Sequence, residues 1–363
     1  MKYNFYIDPD ITKAETLPAS FYQDKTIFEA AREKIFRKSW QWVGGPELAL
    51  KTGDVYPFTP IAGFLDEPLL LIGSEESELR CLSNVCTHRG NLLVQHAGKQ
   101  QKLICQYHGR RFDLAGRFEY MPEFKEARNF PRACEDLRQF PLETWGPFIF
   151  AGLEPDFQFA DVAAKINQRI GFLPLEAFTF DSKRSKDYFV NAHWALYCDN
   201  YLEGFHIPYV HEGLNAVIDY GSYTTEVDEY FNLQIAYTDD PAQAFDLPAG
   251  HIDHGKNVAA YYYWVFPNMM FNFYPWGLSV NIVKPLSGER TKVSFLTYVY
   301  DHTKLDRGAG GSLDKVEQED ELIVESTHQG VNSRYYQSGR FSPVREQGVH
   351  HFHRLVAAFL NRD

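Results

Sequence analysis

Hydrophobic residues near the N-terminus recur every three or four positions, which is the repeat of a helix with one apolar face. The stretch KTIFEAAREKIFRK, residues 25–38, shows this repeat clearly. Its apolar positions are Ile27, Phe28, Ala31, Ile35 and Phe36. The pattern predicts that residues 1–40 form an N-terminal helical segment, which we expect to pack with the domain formed by the C-terminal part of the chain.

From residue 41 to residue 157 the pattern changes to short apolar runs separated by Gly, Pro and Asp. Examples are PLLLIG, RCLSNVC, KLICQYHG and WGPFIFAGL. Runs of this length, bounded by turn-forming residues, are typical of strands. Residues 41–157 are therefore predicted to form a small all-β domain.

Residues 158–363 mix helical and strand-like patterns without the regular strand–helix–strand order of a parallel sheet. A helix and linker are predicted over 158–180, and a strand leading into a helix follows. Strand-like runs such as YYYWVFP and TKVSFLTYVYD precede a charged helical segment at 313–329 and a final helix, VHHFHRLVAAFL. This arrangement predicts a second domain of the α+β class, built on an antiparallel sheet.

Composition and charge narrow the possible partners. The chain has 363 residues, a formal net charge of −12 and no cluster of Lys and Arg, which argues against nucleic acid and anionic membranes. No run of eighteen apolar residues is present, and acidic residues stand where a signal peptide has a basic and then an apolar segment. We therefore expect a cytoplasmic protein.

The five cysteines are too few and too scattered for a disulfide framework. In a reducing compartment, a Cys next to a His more often binds a metal. Cys81, Cys134 and Cys198 have no such neighbour and are predicted to be small core residues.

The stretch CTHRGNLLVQHAGKQQKLICQYHG, residues 86–109, contains two Cys/His pairs. Cys86 and His88 form one pair, and Cys105 and His108 form the other. Four such ligands can hold a tetrahedral zinc or a Rieske [2Fe–2S] cluster, in which two His replace two Cys on one iron. Zinc sites usually take CxxC or HxxxH pairs, so the cluster is favoured over zinc and over four unrelated core residues. A Gly follows each pair, which we expect to let two loops approach closely and to aim backbone N–H groups at sulfur.

A second constellation lies in CDNYLEGFHIPYVHEG, residues 198–213. If the helix continues to about residue 206, then Asn200, Glu203 and His206 follow one another along one side. Pro208 is expected to end or kink that helix, which lets His211 turn back toward His206. Two His and one carboxylate on one face are the ligands of non-haem Fe(II) oxygenases.

The missing carboxylate is expected from the helix LDKVEQEDELIVESTHQG. At 100° per residue, Asp320 falls near the middle of its apolar stripe, where a carboxylate is costly without a cation. Asp320 is therefore the preferred third ligand, with Glu319 as the alternative and a surface ion pair as the non-functional interpretation. The residues assigned to the stripe are Leu313, Val316, Ile323, Val324 and Thr327.

These motifs resemble the α (oxygenase) subunit of Rieske non-haem iron oxygenases. CTHRG…CQYHG is similar to the cluster motif of that family, and Asn200-x-x-Glu203-x-x-His206-x4-His211 resembles its iron motif, NxxDxxHxxxxH. Within the family, the chain is most similar to the choline, glycine betaine and carnitine monooxygenase-like branch. The stretches that carry this similarity are YFVNAHWALYCDNYLEGFHIPYVHEGL, FPNMMFNFYPWGLSVNIVKPL and QEDELIVESTHQGVNSRYYQSGRFS.

The resemblance implies a Rieske domain over 41–157 and a helix-grip (START-like) catalytic domain over 158–363. It implies a [2Fe–2S] cluster, a mononuclear Fe(II) with Asp320 as the aspartate ligand, and a head-to-tail homotrimer. The implied partners are an NAD(P)H-dependent flavin or ferredoxin-type reductase, O2 and a small substrate. The substrate would be hydroxylated or oxidatively demethylated.

The chain departs from the family motif at Glu203, where the family usually has Asp. That acid is thought to link the mononuclear iron site to a Rieske His of another subunit, and Glu makes the same hydrogen bond. Carnitine-type members also carry Glu there, so the substitution favours the quaternary-ammonium branch. Asn200 is interpreted either as orienting the iron site or as capping local backbone.

The aromatic run YYYWVFPNMMFNFYPWG, residues 261–277, bears on the substrate. Alternation along strands is expected to turn about half of its rings inward, and aromatic faces attract a trimethylammonium group. The predicted substrate is therefore a small quaternary ammonium compound similar to choline, betaine or carnitine. The alternatives to this function are an arene dioxygenase or O-demethylase, a Rieske electron carrier with a ligand-binding domain, and a zinc-stapled binding protein.

The histidines at 350, 351 and 353 are interpreted as the packed start of a helix, not as a metal site.

Overall fold

A computed structural model describes residues 3–74, 78–311 and 313–362. The chain divides into two compact units, Arg37–Phe159 and a discontinuous unit formed by Met1–Phe36 together with Ala160–Asp363. The boundaries predicted at residues 40 and 157 lie within a few residues of these. The N-terminal segment belongs to the same unit as the C-terminal part of the chain.

Helices in the discontinuous unit frame its sheet. The helical pattern predicted at 25–38 is observed over 25–36, where the last turn, Arg32–Phe36, is a π-helix. The other helical predictions are also confirmed, with different bounds. In chain order the helices are α1 (Ala19–Gln23), α2 (Lys25–Ala31), α3 (Phe159–Ile170), α4 (Trp194–Tyr201), α5 (Ile207–Val210), α6 (Glu212–Asn215), α7 (Leu313–Val331) and α8 (Gln347–Leu360).

The unit Arg37–Phe159 consists of short antiparallel strands, as the chain pattern predicts. Three small sheets have the strand orders β1-β11-β10, β5-β2-β3-β4-β9 and β6-β7-β8. A hydrophobic cluster that includes Val55, Leu82 and Phe112 also contains Cys86 and Cys105. The strands are β1 (Trp40–Gly44), β2 (Asp54–Phe58), β3 (Leu69–Gly73), β4 (Leu79–Ser83), β5 (Gly98–Lys99), β6 (Leu103–Ile104), β7 (Arg111–Phe112), β8 (Phe118–Tyr120), β9 (Gln139–Phe140), β10 (Leu142–Trp145) and β11 (Phe148–Gly152).

The discontinuous unit contains one antiparallel sheet of eight strands, in the order β12-β19-β18-β17-β16-β15-β14 with β13 also paired to β19. The strands from β15 to β19 are almost wholly buried, so both faces of the sheet are covered. The predicted α+β class is confirmed. The strands are β12 (Thr179–Phe180), β13 (Lys186–Val190), β14 (Thr224–Val227), β15 (Phe231–Tyr237), β16 (Val258–Val265), β17 (Met269–Tyr274), β18 (Gly277–Ser287) and β19 (Arg290–Val299).

The histidines of α8 form hydrogen bonds to other parts of the unit, and two of them bond to the N-terminal segment. The Leu17 backbone N–H donates to His353 Nδ1 at 3.0 Å, and His350 Nε2 donates to the Asp8 carbonyl at 2.8 Å. His351 lies 2.7 Å from the side-chain oxygen of Asn232 on β15. Their interpretation as structural residues at the start of a helix is confirmed. In the described parts of the chain, no helix combines the length and apolarity needed to cross a membrane.

Candidate iron and cluster sites

The helix that carries the first part of the iron motif ends earlier than predicted. α4 stops at Tyr201 instead of continuing to about residue 206. The carboxylate of Glu203 accepts the backbone N–H groups of Phe205 and His206, the second at 3.0 Å, and this local bonding competes with helix. Pro208 then stands in the first turn of α5, a position that tolerates proline, and does not end a helix. The prediction that the motif follows one side of a single helix is therefore wrong.

The turn nevertheless brings three predicted ligands together. His206 Nε2 and His211 Nε2 lie 3.2 Å apart, and Asp320 Oδ1 lies 3.5 Å from the first and 3.0 Å from the second. With metal–ligand bonds of about 2.1 Å, ligand atoms on one octahedral face are about 3 Å apart. The three atoms therefore fit one face of a mononuclear iron and leave its opposite face open.

Each imidazole of this triad has a carboxylate on its other nitrogen. His206 Nδ1 donates to Glu203 Oε1 at 2.6 Å, and His211 Nδ1 donates to Glu319 Oε2 at 2.8 Å. Such bonds fix the ring orientation and leave Nε2 free to bind a metal. Burial lowers the pKa of His211, but the bonds to Asp320 and Glu319 outweigh this and raise it. The site thus attracts positive charge, and Glu319 bonds to the His211 nitrogen that faces away from His206 and Asp320.

The buried face of α7 differs from the predicted stripe. Two residues predicted to lie on that face, Ile323 and Thr327, are exposed. The buried residues are Glu317, Val324, His328 and Val331. Asp320 lies between the buried Glu317 and Val324, so its own placement near the middle is supported. The sequence does not single out Glu317, because a glutamate side chain is ordinarily expected to be exposed to solvent. Its only signal was its position, one turn before Asp320 on the same face.

A cavity of about 100 Å³ opens beside the triad. Of the rings in the aromatic run 261–277, only those of Tyr262 and Tyr274 line it, so the expectation that half of the rings face inward is wrong. Asn200 also lines the cavity, and no hydrogen bond to another described residue supports a capping role for it. The remaining lining residues are Tyr197, Tyr201, Glu203, His206, Ile207, His211, Leu214, Tyr223, Gln234, Asn272, Asn281, Phe295, Ala309, Leu313, Val316, Glu317 and Asp320.

The four residues predicted to hold the cluster converge in the unit Arg37–Phe159. The rings of His88 and His108 have centroids 4.8 Å apart. Cys86 and Cys105 are each 2% exposed, whereas His88 is half-buried and His108 is exposed. Two sulfurs on the inner side and two imidazoles on the outer side fit a cluster that has Cys ligands on one iron and His ligands on the other.

The two cluster loops have the same backbone pattern. The N–H of Cys86 donates to Asn91 O and that of Cys105 donates to Arg110 O, both at 2.8 Å. Gly90 and Gly109 return the chain with φ of +71° and +70°. No atom lies within 4 Å of a Cβ built on Gly90, so positive φ and not close approach explains the glycine there.

Backbone N–H groups point at the sulfur of Cys105, as expected for a loop that carries a cluster thiolate. Burial raises the pKa of the Cys105 thiol, but the N–H groups of Tyr107 and His108 help to outweigh this, so the pKa is lowered. Cys81 and Cys198 are buried core residues, as predicted. Cys134 is exposed, so its prediction as a core residue is wrong. It lies in the short 3-10 helix Ala133–Glu135, which precedes β9.

A buried ion pair lies directly behind the second cluster loop. Arg110 is 1% exposed, its Nη2 donates to Glu135 Oε2 at 2.6 Å, and its guanidinium lies 4.7 Å from the Phe118 ring centroid. Arg110→Ala is expected to cost about 3–5 kcal/mol of unfolding free energy, because it leaves the Glu135 carboxylate buried and less well paired. Thermal or urea unfolding of the purified protein measures this. Lys102→Ala, which removes the exposed pair with Glu119, is the control and should cost less than about 1 kcal/mol.

Comparisons with known families agree with this geometry. The profile of the Rieske [2Fe-2S] domain matches residues 46–139, and that of the ring hydroxylating alpha subunit (catalytic domain) matches residues 175–362. The chain belongs to the ring-hydroxylating alpha-subunit family. It is a Rieske non-haem iron oxygenase, with a [2Fe–2S] cluster and a mononuclear iron as its cofactors. The zinc interpretation of the four Cys and His residues is thereby excluded.

Curated relatives of this oxygenase subunit span nearly its whole length. Choline monooxygenase of Arabidopsis thaliana is 28% identical over 96% of this chain and 84% of its own. The carnitine monooxygenase oxygenase subunit of Escherichia coli K12 is 28% identical over 98% of this chain and 96% of its own. As an oxygenase subunit of this kind, the chain works with a reductase, O2 and a small substrate.

Solved structures share the fold of the subunit. A quaternary ammonium Rieske monooxygenase matches with a TM-score of 0.78 at 23% identity, over 99% of this chain and all of that one. Naphthalene 1,2-dioxygenase matches with a TM-score of 0.74 at 16% identity, over 100% of this chain and 95% of its own. Because enzymes with such different substrates share the fold, the fold alone does not identify the substrate.

Proposed function

We propose that this subunit is the terminal oxygenase of a system that hydroxylates or oxidatively demethylates small quaternary ammonium compounds. The observation that carries this proposal is the charge of the cavity. Among the described residues, its lining contains three carboxyl side chains and five tyrosines but no Lys or Arg. A cavity lined with carboxyl groups and phenol rings favours a compact organic cation. The curated choline and carnitine monooxygenases support the same substrate class.

His206, His211 and Asp320 are proposed to hold the mononuclear Fe(II), and Cys86, His88, Cys105 and His108 the [2Fe–2S] cluster. The bound iron, with electrons from the cluster, supplies the oxygen chemistry. Glu203 and Glu319 keep both imidazoles in place, and the three residues that would hold the iron line the cavity. A Rieske electron carrier needs no such open triad, so the geometry favours an oxygenase over a carrier.

Glu203 is proposed to connect the two redox centres as well as to orient His206. Its side chain is 14% exposed and bonds to His206 Nδ1, so it reaches the surface of its unit next to the proposed iron ligand. Inter-subunit electron transfer is described for the quaternary ammonium Rieske monooxygenase that shares the fold. A head-to-tail homotrimer fed by an NAD(P)H-dependent flavin or ferredoxin-type reductase is proposed on this basis, and a cytoplasmic location stays a prediction.

Replacing Glu203 with Gln is expected to slow reduction of the mononuclear iron at least about tenfold while both metals stay bound, since outer ligands tune the centre they touch. Rapid-mixing absorption and single-turnover product formation measure the rate, and iron analysis measures the metals. Glu212→Gln, on α6 and outside the cavity lining, is the control. An unchanged single-turnover rate in Glu203→Gln would rule out the connecting role.

A substrate screen tests the proposed function. The purified subunit is supplied with NADH and a surrogate reductase, and methylated amines are compared with naphthalene and methoxybenzene. Aldehyde or formaldehyde formation with the amines alone is expected. Diol formation from naphthalene, or formaldehyde from methoxybenzene with no reaction of any amine, would overturn the proposal and favour an arene substrate.

A further inference from the structure

One carboxyl group of the cavity is not accounted for by the iron site. Asp320 belongs to the ligand triad, and both oxygens of Glu203 are occupied by His206 and local backbone N–H groups. Glu317 is only 2% exposed, and its Oε2 accepts a hydrogen bond from the Tyr197 hydroxyl at 2.5 Å. Its Oε1 is buried and has no hydrogen-bond partner among the described residues.

A buried carboxyl oxygen without a partner is destabilising. Leaving such a group unsatisfied costs free energy, and the cost is larger when the group is charged. Burial therefore raises the pKa of Glu317 well above its usual range, although the Tyr197 bond opposes this. Glu317 also lines the substrate cavity, where a nearby ligand of positive charge lowers the cost of its ionised form.

The position of Glu317 places its carboxyl group close to the reacting centre. Residues three apart on a helix face have Cβ atoms about 5–6 Å apart, so Glu317 lies one turn from Asp320 on α7. Four tyrosines besides Tyr197 line the same cavity. A cation held near Glu317 therefore has aromatic rings around it and iron ligands within the length of a small molecule.

The same lining disfavours a second charge of opposite sign on the substrate. A carboxylate on the ligand would need a Lys or Arg, and the described cavity residues include neither. It would also be buried without a cationic side chain to pair with it, which costs free energy. A cation whose other end is a neutral hydroxyl meets no such penalty.

We propose that Glu317 is the specificity-determining residue that binds the substrate cation, and that the site selects cationic amino alcohols over zwitterionic betaines. This inference rests on the proposed function and narrows its substrate class. Glu317 acts by binding, because the iron ligands and their orienting carboxylates are other residues.

Binding to the iron-loaded protein, measured by calorimetry, tests the inference with three probes. The probes are choline, its uncharged isostere 3,3-dimethylbutan-1-ol, and the zwitterion glycine betaine. Wild-type protein is expected to bind choline at least about tenfold more tightly than either of the other two probes. A difference of this size corresponds to one charge-assisted contact. Glu317→Gln should remove most of the preference for choline over the isostere, while the affinity for the isostere stays unchanged.

Glu321→Gln is the matched control, because Glu321 is on the same helix one turn further and does not line the cavity. It should keep the wild-type preference. An unchanged preference in Glu317→Gln, or equal binding of glycine betaine and choline to wild type, would overturn the inference. The comparison of choline with glycine betaine uses only the wild-type protein. It therefore tests whether the site selects cations over zwitterions even if Glu317→Gln fails to fold.

If the proposed function is wrong, the binding and turnover experiments give a different result. In that case none of the three probes binds or is oxidised, although the cluster absorption is intact and the surrogate reductase reduces the cluster. That result overturns both statements. Turnover of choline with no role for Glu317 overturns only the second.

Discussion

His206→Ala is expected to abolish oxygenation while the visible absorption of the Rieske cluster stays unchanged. The variant loses one of three ligand atoms that lie 3.0–3.5 Å apart, and the two that remain cannot hold iron on one face. Turnover should fall more than about a hundredfold, because changes merely next to a ligand already cost about 10–100-fold. Iron should fall from about three atoms per chain to about two.

The control for this variant is His302→Ala. His302 is an exposed histidine in the same unit and belongs to neither candidate site. It should leave iron content and turnover unchanged. Retained turnover in His206→Ala would refute the iron site, whichever metal content accompanies it.

Cys105→Ser is expected to remove the cluster and, with it, all reductase-dependent turnover. Cys105 is 2% exposed, and backbone N–H groups help to lower the pKa of its thiol. A serine hydroxyl at this place is a much poorer ligand for iron than a thiolate. The brown colour should disappear, and iron should fall from about three atoms per chain to about one.

Cys134→Ser provides a matched control for the cluster variant, since the chemical change is the same and Cys134 is exposed in the same unit. It should keep full colour and turnover. If Cys105→Ser kept the cluster spectrum while Cys134→Ser lost it, the assignment of the cluster ligands would be wrong.

The parts of the site that sequence reasoning finds are those that chemistry restricts most. Few residue types bind iron, so Cys/His pairs and two closely spaced His stand out in a sequence without any knowledge of the fold. Asp320 stands out because a carboxylate on an apolar helix face costs free energy unless a cation is bound to it. The two units were found because strand and helix repeats differ along the chain.

The parts that were missed depend on competition between local and distant contacts. The end of α4 at Tyr201 follows from the side chain of Glu203 bonding to backbone two and three residues on, which periodicity does not show. The burial of Glu317 follows from Tyr197, a residue far away in the sequence. Which rings of the aromatic run face the cavity depends on strand pairing, since Tyr262 pairs with Asn272 on β17 and with Gln234 on β15.

The discontinuous course of the chain has a consequence for its synthesis. Residues 37–159 form a continuous unit, so they can fold as soon as the ribosome has released them. The residues before them must wait, because Leu17 and Phe5 bond to His353 and Asn361 near the other end of the chain. A nascent chain that stops before α8 should therefore protect the cluster unit from protease while its first helices are still cleaved. The cluster can be loaded before the iron site exists.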